Sequence, residues 1–195
     1  MVDALTFDPA HTALLVMDVQ NDMVANHVSN GTPFLARLDH LVAAARRRGV
    51  RVIYVVCGFR PGYPEAGTRN AVFAGVPKTG RLQLGTTGCE VHSAVAPRDG
   101  EVTVIKHRVS AFSGTDLEVV LRANGIDTLL LTGISTSGVV LSTLRHAADL
   151  DYRCVVVSDG CIDKDTDVHR MLIDRVFPRQ ARVAEAAELL GSLGA

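Results

Sequence analysis

The chain has 195 residues and a formal net charge of −1, with 21% charged residues. A chain of this length buries roughly 70% of the surface that it exposes when unfolded, so we expect a single domain over residues 1–195. The near-zero net charge excludes the basic surface with which nucleic-acid-binding proteins gather phosphate contacts, so nucleic acid is not an expected partner.

The cysteines and the apolar segments indicate where the protein works. Its four cysteines include no C-x-x-C pair, and buried, reduced thiols are typical of cytosolic proteins. The amino terminus lacks a signal-peptide pattern, and no apolar run approaches the ~18 residues that a membrane span needs. We therefore predict a cytoplasmic protein without a membrane partner.

The first half of the chain predicts two strands and a long loop. An apolar run over Thr12–Met17 predicts a buried strand that ends at Asp18. Thr32 and Pro33 have the pattern of a helix start, and residues 50–57 predict the second strand. The following glycine-rich stretch, residues 58–88, is long for a connection, and such loops are usually functional or mobile.

The second half of the chain continues the alternation of strand and helix. Strands are predicted over residues 101–105, 129–131, 152–157 and 181–184, and helices over residues 115–124, 137–149, 167–176 and 186–193. Alternating elements of this kind pack as three layers, with helices on both faces of one sheet. We therefore predict an α/β fold with a doubly wound sheet of mostly parallel strands.

The carboxyl ends of the predicted strands carry the residues suited to chemistry, because ligands bind at that edge of doubly wound sheets. Asp18, Lys106, the turn after Gly133 and Asp159 all fall there. A carboxylate beside an ammonium group in a partly dry cleft can act in acid–base catalysis. A structural ion pair explains Asp18 and Lys106 equally well, and the spacing leaves both interpretations open.

Neither a metal nor a cofactor is expected. Asp163, Asp165 and Asp167 alternate like calcium ligands, but Val168 stands where the calcium loop needs glycine. Acidic residues at a helix N-terminus explain this cluster more simply. The seven histidines lack H-x-H and H-E-x-x-H spacing, and the P-loop-like glycines of residues 80–87 lack the lysine of that motif.

Three separate segments resemble one enzyme family. They are residues 12–22 (TALLVMDVQND), residues 106–115 (KHRVSAFSGT), and residues 131–136 (LTGIST) with residues 143–149 (TLRHAAD). In this order they closely resemble the isochorismatase-like cysteine hydrolase superfamily, and the likeness covers about residues 11–190. The resemblance implies the doubly wound fold and the hydrolysis of a small molecule.

The resemblance also implies which residues act. Members of the family use an aspartate, a lysine and a cysteine to cleave amide bonds, and the first two correspond to Asp18 and Lys106. The cysteine lies six residues after the turn glycine, Gly133, and here that residue is Val139. Valine cannot form a covalent intermediate, and the four cysteines are expected elsewhere on the fold. True isochorismatases also lack the cysteine, usually with a small residue in its place, and hydrolyse a vinyl ether with the aspartate as proton donor.

Two classes of function remain open. In the first, the protein is a non-covalent hydrolase of a C–O or C–N bond, in which Asp18 is the general acid or base and Lys106 sets its pKa. In the second, it is a binding protein that kept the fold and lost the reaction; the retention of both residues favours the enzyme. We predict that a small-molecule substrate contacts Gln20, Ser135, Ser137, Gly138 and Val139.

Two further expectations concern the backbone and the assembly. The resemblance implies a cis peptide bond between Ile134 and Ser135. It also implies a homo-oligomer, a dimer or a tetramer, because family members commonly assemble. The hydrophobic fraction of 47% and the mean hydropathy of +0.20 agree with apolar surface that assembly would cover.

Overall fold

The computed structural model describes residues 5–29 and 33–193 and has a single six-stranded sheet at its centre. The strands are β1 (Thr12–Met17), β2 (Arg51–Cys57), β3 (Val102–Lys106), β4 (Thr128–Ile134), β5 (Arg153–Ile162) and β6 (Arg182–Ala184). Their spatial order is β3-β2-β1-β4-β5-β6, and each neighbouring pair is parallel. The predicted doubly wound sheet is confirmed, and its described strands all run parallel.

The described residues form seven α-helices. They are α1 (Asn21–His27), α2 (Phe34–Arg47), α3 (Val76–Thr79), α4 (Leu117–Ala123), α5 (Leu141–Asp149), α6 (Thr166–Met171) and α7 (Ala186–Ser192). Alternate residues of the strands enter two apolar cores: Leu15 packs on the side of α5, and Leu14 packs on the side of α2 and α7. The predicted three-layer arrangement is therefore confirmed. None of the described helices is long and apolar enough to span a membrane.

The burial of each strand reflects its place in the sheet. All residues of β1 and β4 are buried, because both faces of these central strands are covered, and so their sequences are nearly continuous apolar runs. The edge strand β3 alternates instead: Thr103 and Ile105 are exposed, whereas Val104 and Lys106 are buried. Lys106 therefore points toward the interior from the last position of an edge strand.

The structure extends one strand beyond its predicted end. Gly133 was predicted to end β4, but it pairs with Met17 of β1 and the strand continues to Ile134. A Cβ at this position would lie 2.2 Å from the Met17 carbonyl oxygen, and φ is +145°. Glycine therefore lets the two strands approach closely here.

One predicted helix start and one predicted strand end can be compared with the structure. The predicted helix start at Thr32 lies outside the described residues, and α2 begins at Phe34, directly after Pro33. β5 runs on through Asp159 to Ile162, with a register shift relative to β4 between Leu131 and Gly133.

β1 and β4 meet at the point where the strand order reverses, and ligands bind beside such points in doubly wound sheets.

Candidate active site

Asp18 and Lys106 form a buried ion pair at the carboxyl edge of the sheet. The Lys106 ammonium nitrogen lies 2.8 Å from Asp18 Oδ2, and the two side chains are only 2% and 6% exposed for Lys106 and Asp18 respectively. Lys106 Nζ also donates a hydrogen bond of 3.0 Å to the carbonyl oxygen of Arg108. The predicted approach of these two residues is confirmed.

The backbone turns sharply at Asp18. Its φ of 55° is in the left-handed region, which residues other than glycine rarely adopt. Its N–H donates to the Val55 carbonyl oxygen at 2.8 Å, which fixes this turn against β2. Such a conformation costs of order 1–3 kcal/mol and tends to persist at functional sites.

One oxygen of the Asp18 carboxyl group is left without a partner. Oδ1 is buried and has no hydrogen-bond partner among the described residues. Burial raises the pKa of Asp18 above its ordinary value, and the charge and hydrogen bond of Lys106, together with the Cys57 backbone, offset this only in part. A raised pKa and a carboxylate oxygen without a side-chain partner are both features that suit a residue of acid–base catalysis.

A cavity of about 140 Å³ opens beside this pair. Its polar groups come from Asp18, Lys106, Ser135 and the thiol of Cys57, and Gly138 contributes backbone. The remaining wall is apolar and consists of Met23, Val72, Phe73, Val109, Ile134 and Val139. Wider and more open depressions of about 550 and 770 Å³ lie elsewhere on the surface, but the described residues around them include no buried ion pair.

The turn after β4 forms one wall of this cavity. The Ile134–Ser135 peptide bond is cis, as predicted. A π-helical turn, Thr136–Val140, follows it, and the N–H groups of Gly138 and Val140 both donate to the Ser135 carbonyl oxygen at 3.2 Å. A Cβ on Gly138 would lie 2.8 Å from Ser135 Oγ, so glycine leaves room for this hydroxyl group.

Ser137, a predicted substrate contact and helix N-cap, has a different role in the structure. Ser135 occupies the N-cap position, and both the N–H and the hydroxyl of Ser137 donate to Asp163 Oδ2 at 2.7 Å. Burial favours a higher pKa for Asp163, but the hydrogen bonds from Ser137 outweigh it and hold the pKa below its usual range. Asp163 is therefore an ionised anchor of the turn.

Neighbouring polar residues complete this anchoring. His169 Nδ1 lies 2.8 Å from Thr136 Oγ1, and burial lowers the pKa of His169, which favours the neutral ring. Asp165 caps α6 by accepting hydrogen bonds from the N–H groups of Asp167 and Val168. The acidic cluster thus serves as caps and anchors, and the described residues contain no group of three or more side chains arranged to hold a metal ion.

Gln20, another predicted substrate contact, lies behind the cavity wall. It is fully buried; its Oε1 accepts from the Cys57 N–H at 3.0 Å, and its Nε2 donates to the carbonyl oxygens of Cys57 and Cys89 at 2.9 Å. These bonds use its whole amide group to connect the end of β2 with the long loop. The structure therefore places Gln20 as a support of the site.

Cys57 lies closer to the site than predicted. It is the last residue of β2, and it lines the cavity beside Asp18 and Lys106, so the expectation that every cysteine lies elsewhere is wrong for this one. Burial raises the pKa of Cys57 to about 12, although Lys106 acts in the opposite direction. At neutral pH the group is therefore a thiol rather than the thiolate that a nucleophile requires.

The long loop supplies residues that the sequence did not mark. Phe73 lines the cavity and packs on Phe59, with ring centroids 5.4 Å apart. Tyr63 also packs on Phe59, with ring centroids 5.9 Å apart. The length of residues 58–88 led us to expect a functional or mobile loop, but nothing in its sequence marked these aromatic residues.

Comparisons with known proteins agree with this architecture. The isochorismatase domain model matches residues 12–188. An uncharacterized isochorismatase family protein of Escherichia coli O157:H7 is 34% identical over 93% of this chain and 96% of its own. A ureidoacrylate amidohydrolase of Methylobacterium radiotolerans is 32% identical over 98% of this chain and 83% of its own. The solved structure of a Burkholderia thailandensis isochorismatase family protein superposes with a TM-score of 0.87 and 32% identity, over 99% of this chain and 100% of the other.

Proposed function

The chain belongs to the isochorismatase family of hydrolases, and from this premise we propose that it hydrolyses a small molecule by non-covalent acid–base catalysis with Asp18 and Lys106. The observation that carries the proposal is the buried pair at 2.8 Å, in which Asp18 Oδ1 is left without a partner beside a cavity. We further propose that residues 1–195 form one domain and act in the cytoplasm, where the four free cysteines stay reduced.

Asp18 exchanges the proton in this mechanism. For an amide, the Asp18 carboxylate takes a proton from water, the hydroxide attacks the carbonyl carbon, and the C–N bond breaks as the proton passes to the leaving nitrogen. For a vinyl ether, protonated Asp18 gives its proton to the alkene carbon, water adds to the resulting cation, and the C–O bond then breaks. The similarity to a ureidoacrylate amidohydrolase favours the C–N reaction.

Lys106 and the turn after β4 support this step. The Lys106 ammonium group stabilises the Asp18 carboxylate and the negative charge that develops on the substrate oxygen. Ser135, Gly138 and Val139 line the cavity, and we assign substrate contacts to them and to the N–H groups near Ser135 and Val139. Gln20 and Ser137, whose polar atoms bond within the protein, position the walls.

A second candidate function is small-molecule binding without turnover. The observation that favours it is Val139, which is buried in the cavity wall at the position that the resemblance assigns to the nucleophile of the family. Screening small amides and enol ethers separates the two functions: hydrolysis by the wild type and none by Asp18→Asn supports the enzyme. Binding without turnover by the wild type supports the binding protein.

Val139→Cys tests the covalent alternative. A thiol there would lie near the start of a helix and the Lys106 ammonium group, both of which lower its pKa. We expect this variant to gain an acyl-enzyme adduct visible by mass spectrometry, whereas the wild type hydrolyses without one. An adduct of the wild type on Cys57 would contradict the non-covalent mechanism.

We also propose a dimer or a tetramer in solution. Exposed apolar side chains such as Ile105 on β3 and Val119 on α4 are available for assembly. Light scattering at micromolar concentration tests this, and a monomer would contradict it.

A further inference from the structure

We propose that the part of the substrate that enters the cavity is uncharged and apolar, apart from the bond that is cleaved. This inference rests on the proposed function, because it describes the substrate of the same site. It follows from the charges at the floor of the cavity, the composition of its wall, and its volume.

The described residues that line the cavity offer no unpaired positive charge that could balance a substrate carboxylate. Lys106 is the only lysine or arginine that lines it among the described residues, and its charge is balanced by Asp18 at 2.8 Å. A second N–H of its ammonium group already donates to Arg108 O. The residues outside the described ranges contain no lysine, arginine or histidine, so this chain offers no further side-chain cation from them.

Two arginines of segments that contribute to the cavity wall, Arg81 and Arg108, bond elsewhere in the protein. Arg81 contacts the Asp22 carboxylate and donates to the Asp22 carbonyl oxygen at 2.9 Å. The guanidinium group of Arg108 donates to the carbonyl oxygens of Glu65 and His107. Neither arginine lines the cavity.

A carboxylate in this cavity would lose its water and gain no countercharge. It would also face Asp18, whose Oδ1 is buried without a partner, and two carboxylates sharing one site repel each other. An uncharged amide avoids both penalties, because its N–H can donate to Oδ1 and its oxygen can accept from Lys106 or Ser135. Buried polar atoms are satisfied in this way without introducing a new charge.

The volume and the wall set the size of the apolar part. A cavity of about 140 Å³ compares with a known apolar cavity of about 150 Å³ that binds benzene. The six apolar side chains of the wall, among them Phe73 and Val109, would therefore surround an acyl group of about six carbon atoms or fewer. The geometry suits a short branched aliphatic or a single-ring amide.

Val72 offers a way to add the missing cation. It lines the cavity mouth and is 63% exposed, so Val72→Arg leaves the core intact. Val119, on α4, is 70% exposed and does not line the cavity, which makes Val119→Arg a matched control.

The test measures the binding of two small amides of similar size, the uncharged isobutyramide and malonamate, which carries a carboxylate. Titration calorimetry or ligand-detected NMR measures the two affinities. We expect the wild type to bind isobutyramide at least about tenfold more tightly than malonamate. Val72→Arg should reduce the ratio of the two affinities by strengthening the binding of malonamate, and Val119→Arg should leave this ratio unchanged. Equal or tighter malonamate binding by the wild type overturns the inference, and so does the absence of isobutyramide binding at millimolar concentration.

Asp18→Asn tests the same electrostatic argument by a different change, because it removes a negative charge instead of adding a positive one. Removing this carboxylate leaves the Lys106 charge unbalanced, so malonamate should bind more tightly than to the wild type. Unchanged malonamate binding by a folded Asp18→Asn variant would contradict the electrostatic argument. Selective isobutyramide binding by the wild type without turnover of any amide or enol ether would leave the inference standing and refute the proposed catalysis.

Discussion

Two ion pairs at the same edge of the sheet differ in what surrounds them. Arg37 and Asp159 are 2.9 Å apart, on the side of α2 and α7, and their side chains are 29% and 31% exposed. Asp159 Oδ1 accepts from the Ala186 N–H at 2.7 Å, so both carboxylate oxygens have partners. The pair of Asp18 and Lys106 is buried and leaves one oxygen unpaired.

This difference shows how a structural pair is told from a reactive one. Partial exposure and the N-terminus of α7 stabilise the charge of Asp159, which links β5 to α2 and α7, and both of its carboxylate oxygens are already bonded. Asp18 is almost completely buried, and this burial raises its pKa. Strand position alone does not separate Asp18 and Lys106 from Asp159, because all three were expected at the carboxyl edge of the sheet. Burial and the unpaired oxygen separate the two pairs.

The largest expected effect is on activity. Asp18→Asn keeps the shape of the side chain but cannot exchange the proton, so we expect kcat to fall about 10²–10⁴-fold. Asp159→Asn, the matched change in the other pair, should leave kcat within about twofold, since it does not line the cavity. Steady-state kinetics on a substrate found in the screen measures both, with circular dichroism to verify folding. Equal losses in the two variants would remove the distinction between the pairs.

The next effect is on stability. Lys106→Met leaves Asp18 buried without its counterion, and breaking a buried pair in this way costs about 3–5 kcal/mol. Arg37→Met breaks the partly exposed pair and should cost about 0–1 kcal/mol. Urea denaturation at pH 7 measures both free energies of unfolding. The loss in Lys106→Met should shrink at lower pH, where Asp18 becomes protonated; a pH-independent loss would count against this cause.

The pH profile tests the role of Asp18. Because its pKa is raised above the ordinary 3.8, activity that needs the carboxylate as base should rise with pH through that higher pKa. Activity that needs the protonated acid should fall over the same range. The folded state binds this proton more tightly than the unfolded state, so the contribution of Asp18 to stability is also lost as pH rises through the raised pKa. Profiles of kcat/KM and of Tm measure these effects, and a profile without such a limb would exclude Asp18 as the acid or base.

A smaller effect is expected from the anchor of the turn. Asp163→Asn weakens the two hydrogen bonds from Ser137, so we expect kcat to fall about tenfold with little change in KM, because a displaced turn misorients bound substrate. Asp167→Asn is the control, since Asp167 is an exposed residue of the same acidic cluster. If Asp163→Asn changed only Tm, its role would be structural alone.

The elements could be predicted from the sequence because their signals are local. The apolar run of β1 ends at the predicted residue, and because β1 and β3 are parallel strands of one sheet, Asp18 and Lys106 were expected to meet. The turn after Gly133 was placed correctly at the same edge. These predictions needed only periodicity, topology and family resemblance.

The cavity wall could not be predicted in the same way. The amide group of Gln20 contacts Cys89, 69 residues away, and Cys57 lines the cavity beside Lys106 because β2 ends level with that residue. Ser137 turns toward Asp163 rather than toward a substrate. The orientations of these side chains depend on contacts between segments that are distant in the chain. A single sequence contains no local pattern that predicts such contacts.

Buried and exposed side chains alternate along β3, and this alternation limits how the site can change between related proteins. Shifting a strand by one residue reverses its faces, so a slip against β2 would send Lys106 to solvent and bring Ile105 inside. Five residue pairs between the two strands, the last of them Cys57 with Lys106, set this register, whereas the connection from β2 to β3 spans 44 residues outside the paired segments. Insertions and deletions in that connection can therefore reshape the mouth of the cavity while the lysine stays in place, so the part that selects substrates is free to vary in length.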